Sequence, residues 1–148
     1  MREIIKIGLA VLHADRLLLV RKRGRPSYIL PGGKPEADEA DIQTLRRELH
    51  EELRCDLDIQ TVRFLGAFSD TAADLADATV VVRLYEGRLI GIPDPDNEIE
   101  AADWVPIDGT GVPNLAPSLA NTIMPFLFER RAAGRQLTGI NLCGRTLR

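Results

Sequence analysis

Cysteine, histidine and aromatic residues are scarce in this chain. It carries two cysteines, two histidines, one tryptophan and 5% aromatics in 148 residues. Cys55 and Cys143 have no metal-ligand spacing and are too few for a disulfide framework, so reduced thiols and a cytoplasmic setting are expected. No stretch approaches the roughly 20 apolar residues that span a bilayer. The opening Met1 to Lys6 is broken by Glu3 and Lys6, unlike a secretory leader. Neither membrane nor export is therefore expected. A formal net charge of −3 argues against a nucleic-acid polymer as partner. Repeats, low-complexity tracts and a second domain are also missing. The expectation is one domain over 1–148, with a tail over 134–148 that a final strand, a partner contact or disorder would each suit.

The patterns that are present read as alternating strands and helices. Ile4 to Leu12 and Leu17 to Val20 are β-branched and leucine-rich runs around His13-Ala14-Asp15-Arg16, which predicts a buried hairpin. Tyr28 to Leu30 reads as a short strand into the Pro31-Gly32-Gly33 turn. Further strands are expected at Thr61 to Phe68, Thr79 to Tyr85 and Ile99 to Val105. Trp104 and the tyrosines are expected in packing roles. Ile42, Leu45, Leu49 and Leu53 recur at helical period, predicting a helix from about Glu39 to Arg54. A second helix is expected from Leu115 to about Ala133, despite Pro117 and Pro125. Strands on both sides of a central helix, then a terminal helix, imply an α/β layered fold with a mixed sheet.

The central helix also carries the chemistry. Glu48, Glu51 and Glu52, at i, i+3 and i+4, project from one side of it, away from the apolar stripe. Like charges at that spacing repel. A divalent cation among them removes the cost, because hard cations such as Mg²⁺ are held by oxygen ligands. Upstream, Arg21, Lys22, Arg23, Arg25 and Lys34 form a basic set beside the glycine turn, suited to focusing an anionic substrate.

The segment from Gly33 to Cys55 resembles the signature of the Nudix (MutT-like) hydrolase superfamily, G-x5-E-x7-R-E-U-x-E-E-x-G-U. Gly33, Glu39, Arg47, Glu48, Leu49, Glu51 and Glu52 fall on it without a gap. Arg54 replaces the usual glycine, Cys55 the usual aliphatic residue, and Asp38 a glycine common in the loop. Arginine at 54 must adopt a left-handed C-cap at about 1 kcal/mol or end the helix differently. Asp38 is a candidate N-cap.

The resemblance implies an α/β/α sandwich that uses Mg²⁺ or Mn²⁺ to hydrolyse a nucleoside diphosphate linked to another moiety. By motif position, Glu48, Glu51 and Glu52 would be metal ligands, one of them doubling as base. Arg47 would orient carboxylates with Glu39 as its partner. Gly32 would bring a backbone ligand to the metal. Gly32, Gly33, Arg23 and Lys34 would meet substrate. Glu98, ahead of Glu100, would be a further metal ligand.

Markers of family subgroups are missing. Thr71 stands where ADP-ribose hydrolases tend to have proline, and Ala72 and Ala73 stand near where dinucleoside polyphosphate hydrolases tend to have tyrosine. The expectation is therefore a housekeeping nucleoside triphosphate pyrophosphatase acting on a small nucleotide, with the homodimer common in the family as one open assembly. ADP-ribose, dinucleoside polyphosphate or nucleotide-sugar hydrolysis, or nucleotide sensing without turnover, are the alternatives.

Overall fold

The computed structural model describes residues 2–144, with side chains through Gly134. Its strands are β1 (Arg2–Ala10), β2 (Leu12–His13), β3 (Arg16–Lys22), β4 (Tyr28–Ile29), β5 (Gly32–Gly33), β6 (Asp56–Thr71), β7 (Ala78–Ile90) and β8 (Ile99–Pro106). Helix α1 (Asp41–Leu53) lies between β5 and β6, and α2 (Met124–Gly144) follows β8. One mixed sheet has the order β5-β1-β7-β6. In the other, β8 runs antiparallel to β3, while β2 and β4 pair with the two ends of β3.

The expected hairpin is only partly present. Just Leu12↔Leu17 and His13↔Arg16 pair at its tip. The strand before it instead joins the other sheet, running parallel to β7 from Arg2↔Ala78 to Ala10↔Glu86. The reason is burial on both faces, which writes a near-continuous apolar run without naming the partner strand. Ile7 and Leu9 pack with Leu45, Leu49 and Leu53 of α1 in one core. Ile4 and Ala10 join a second core with Val80, Val82, Leu119 and Leu127. Helices thus cover both sides, and the α/β sandwich expected from the sequence is the architecture found.

The C-terminal helix departs from its expected bounds. A π-helical turn, Leu119–Ile123, precedes α2, and Met124 N–H bonds to the Leu119 carbonyl five residues back. Pro125 has no N–H and cannot continue an α ladder, which accounts for the irregular turn at this point. Beyond Ala133 the backbone remains helical to Gly144 rather than forming a strand. Residues 145–148 of the expected tail lie outside the described residues. Trp104 is 38% exposed, edge-on to His13, and is a surface residue rather than core packing.

Candidate active site

Helix α1 is held at both ends. Near its start, Asp41 accepts from Arg83 Nε (3.1 Å), Arg83 Nη2 (2.7 Å) and the Tyr85 hydroxyl (2.6 Å), which fixes the helix to β7. Asp38 is not the N-cap. That position is Ala40, whose N–H bonds to Gln43 Oε1 at 2.8 Å. At the other end Arg54 takes the left-handed conformation, φ 55° and ψ 33°. Its N–H reaches the His50 carbonyl, the bond of a simple left-handed cap, and the N–H of Cys55 reaches the Leu49 carbonyl.

The remaining carbonyls of the last turn are met by the loop before β8. Asp94 N–H bonds to Leu53, Asp96 N–H to Glu52, and the Asn97 side-chain amide to Glu51 at 2.7 Å. Arg54 Nε adds a 2.9 Å bond to Asp96 Oδ2. The same loop leads into Glu98, so the helix end and Glu98 are positioned together.

The three glutamates differ sharply in environment. Glu52 is 2% exposed. Its Oε1 accepts the Gly32 N–H at 3.1 Å, while Oε2 is buried with no partner. Burial, reinforced by the charge of Glu48 and opposed by the Gly32 bond, raises its pKa to about 8. Burial also raises Glu48, against the pull of Arg47. Glu51 is the outermost, with its side chain 52% exposed and 3.5 Å from Arg47 Nη1.

Arg47 spans this group. Nε and Nη2 grip Glu39 at 2.7 and 2.9 Å, Nη1 donates to Glu48 Oε2 at 3.0 Å, and Nη2 also reaches the Lys34 carbonyl at 3.0 Å. The hydrogen bonds from Arg47 hold the Glu39 pKa down to about 2. One guanidinium therefore ties the loop after the glycine turn to the helix carboxylates.

A cleft of about 280 Å³ opens above Glu48, lined by Lys6, Lys22, Arg25, Gly32, Gly33, Lys34 and Glu98 among others. It adjoins a smaller apolar chamber between Ile4, Leu30, Val80, Val82 and Leu119, and the two meet at Lys6, Ile29 and the glycine pair. Of the basic set, Lys22, Arg25 and Lys34 line the cleft. Arg23 does not line it: its side chain turns toward the Asn97 carbonyl at 3.5 Å, because the chain leaves β3 after Lys22. Glu98 pairs with Lys22 at 3.3 Å at the cleft edge, whereas Glu100 pairs with Arg21 at 3.3 Å. Sequence reasoning passed over Lys6, although its place between Ile4 and Gly8 on an alternating strand turns it toward the chamber.

Among the described residues, no three acidic, histidine or cysteine side chains stand close enough together to form a ready-made metal cage. Glu51 leans to Arg47 and Glu98 to Lys22, as carboxylates do beside cations. The donor set still suits a hard divalent ion. It is all oxygen, it includes the unpartnered Glu52 Oε2, and the glycine turn leaves Glu48 without a side chain opposite it.

No curated protein sequence matches the chain significantly. Solved structures share its fold. A MutT NUDIX hydrolase from Burkholderia pseudomallei superposes with a TM-score of 0.66 at 22% identity, covering 80% of this chain and 94% of that one. For the MutT protein from Methanosarcina mazei Go1 the TM-score is 0.68 at 20% identity, over 87% and 96% of the chains. An ADP-ribose pyrophosphatase from Streptococcus suis gives 0.56 at 22% identity, over 80% and 82%. Such identities establish architecture alone. The sequence itself goes further: the model of the NUDIX domain matches residues 5–125, so the chain belongs to the Nudix family of pyrophosphohydrolases.

Proposed function

We propose that this enzyme cleaves a phosphoanhydride bond of a nucleoside triphosphate, releasing a nucleoside monophosphate and pyrophosphate. One observation carries the reading. A cation-lined cleft over the α1 carboxylates runs directly into an apolar chamber of limited size. Phosphates suit the first compartment and a flat base the second. The structural neighbours include MutT proteins as well as an ADP-ribose pyrophosphatase and a UDP-X diphosphatase, so the cleft and chamber, and not those names, support the choice.

Nudix hydrolases generally use divalent metal ions. Here Glu48, Glu51 and Glu52 would hold Mg²⁺ or Mn²⁺, with Glu98 and the Gly32 backbone at the edge of the site. Such an ion neutralises phosphate charge and acidifies bound water. The chain's own groups do the rest. Lys22, Arg25 and Lys34 draw in and orient the polyphosphate, and Arg47 keeps Glu48 turned to the cleft. A helix carboxylate accepts the proton of the attacking water. We place this single-domain enzyme in the cytoplasm, where the free Cys55 thiol stays reduced.

The test is a product-release screen with and without Mg²⁺ against canonical and oxidised nucleoside triphosphates, ADP-ribose, dinucleoside polyphosphates and nucleotide sugars. Metal-dependent pyrophosphate release from triphosphates is expected. Turnover confined to the nucleoside diphosphate conjugates would refute the triphosphate assignment.

A further inference from the structure

Lys6 belongs neither to the carboxylate cluster nor to the cations that ring the outer cleft. Strand alternation turns Ile4, Lys6 and Gly8 to the chamber side of β1. In the parallel register they lie beside Val80, Val82 and Leu84. Lys6 is the only ionisable residue lining the chamber among those described, and Ser118 the only hydroxyl. It also lines the polar cleft, so it marks the seam between the two compartments.

Among the described residues no carboxylate comes within ion-pair reach of Lys6, and its side chain makes no hydrogen bond. Burial lowers its pKa first, the nearby Lys22 and Lys34 lower it further, and the charge of Glu52, beyond ion-pair reach, opposes them. A half-buried ammonium with no hydrogen-bond acceptor is costly. It presents three donors and no acceptor, so its natural complement is a ligand group that carries acceptors.

The surroundings narrow that group. The apolar walls suit the faces of a flat ring, and the cations of the cleft suit phosphates. A donor at the seam meets the ring edge. We propose that Lys6 is a specificity-determining residue, donating to the carbonyl oxygen at purine position 6 or pyrimidine position 4 and so favouring bases with a keto group there (guanine or uracil type) over those with an amino group there (adenine or cytosine type). This inference rests on the nucleoside triphosphate reading above.

The experiment compares kcat/KM for GTP, ATP, UTP and CTP with Mg²⁺ in the parent, Lys6→Met and Lys6→Gln. Methionine keeps the apolar stem and removes the donors, and glutamine keeps a neutral donor. The parent should prefer GTP to ATP and UTP to CTP. Lys6→Met should lose roughly tenfold or more on the keto bases, the scale of a hydrogen bond to a charged group, and stay within about twofold on the amino bases. Lys6→Gln should fall between them. A melting temperature in Lys6→Met at or above that of the parent would show that the fold is intact.

An equal loss on all four bases would assign Lys6 to phosphate or to the electrostatics of Glu52, and would overturn the proposal. A parent that turns over triphosphates without keto preference would overturn it too. A parent inactive on all four would overturn this inference, and one inactive on the oxidised triphosphates as well would sink the triphosphate reading itself.

Discussion

Gly33 and Glu48 face each other so closely that a methyl group built on Gly33 would lie 2.4 Å from Glu48 Oε2. The adjacent Gly32 is confined differently. Its φ is +135°, and a methyl group there would lie 2.0 Å from the Ile7 carbonyl oxygen. The two glycines therefore protect different things. Gly33→Ala meets the far end of a flexible side chain, so Glu48 should swing away and turnover should collapse while the melting temperature barely moves. Gly32→Ala meets backbone in a conformation reserved for glycine, and should cost about 3 kcal/mol or more. Denaturant titration with activity assays on both variants checks the contrast. Equal destabilisation by the two would refute it.

Arg47→Lys tests the role of the guanidinium. A lysine ammonium cannot grip Glu39 through two nitrogens while also reaching Glu48 and the Lys34 carbonyl. Glu48 would lose its orienting donor, and metal affinity should weaken by roughly 10- to 100-fold, as for other residues that support ligands. Mg²⁺ titration of activity gives the answer. An unchanged half-saturating concentration would show that Arg47 does not orient the cluster.

Arg54→Gly should be nearly silent. Glycine relieves about 1 kcal/mol of left-handed strain. It also removes an exposed pair with Asp96, which water screens and which contributes little to stability. Arg54→Val keeps the strain, adds β-branching and loses the pair, so it should destabilise by about 2 kcal/mol. Urea unfolding of both variants separates these effects. A strongly destabilised glycine variant would mean that the Asp96 bond, rather than the backbone cap, holds the loop to α1.

The sequence made parts of this site readable, and the difference is physical. Helix α1 was legible because Leu45, Leu49 and Leu53 bury one stripe at a period that no strand shares. Pairing between strands distant in sequence leaves no such local trace. The parallel register of β1 with β7 was therefore hidden behind what looked like a simple hairpin. The same limit hid the partners of Glu98 and Glu100, which meet Lys22 and Arg21 respectively where β8 lies against β3. It also made Arg23 look equivalent to Lys22 and Arg25, although only the last two line the cleft. Lys6 was the avoidable omission, since a lysine between inward-facing Ile4 and Gly8 breaks the apolar alternation in plain view.

Glu52 should make the stability of the metal-free protein depend on pH in an unusual direction. Its folded pKa, about 8, lies above the ordinary carboxyl value of 4.5. Across that interval the folded state holds a proton that the unfolded state has released, so stability falls as pH rises. The contribution is complete below about pH 4.5 and is lost as pH passes through about 8. Glu39, held near 2, is already ionised in both states above about pH 5 and does not mask this slope. Lys6, with its lowered pKa, acts in the opposite sense toward alkaline pH, so the informative quantity is the difference between parent and Glu52→Gln. Melting temperatures in chelator should decline with pH in the parent and flatten in the variant. Mg²⁺ should reverse the trend, because the cation binds the ionised carboxylate and displaces its proton, stabilising most at high pH. Glu52→Gln should lose that Mg²⁺ response and roughly a hundredfold or more of turnover. A parent whose metal-free stability rises through the same interval would show that Glu52 is ionised in the fold without a cation, and would remove the main physical reason for placing a metal beside it.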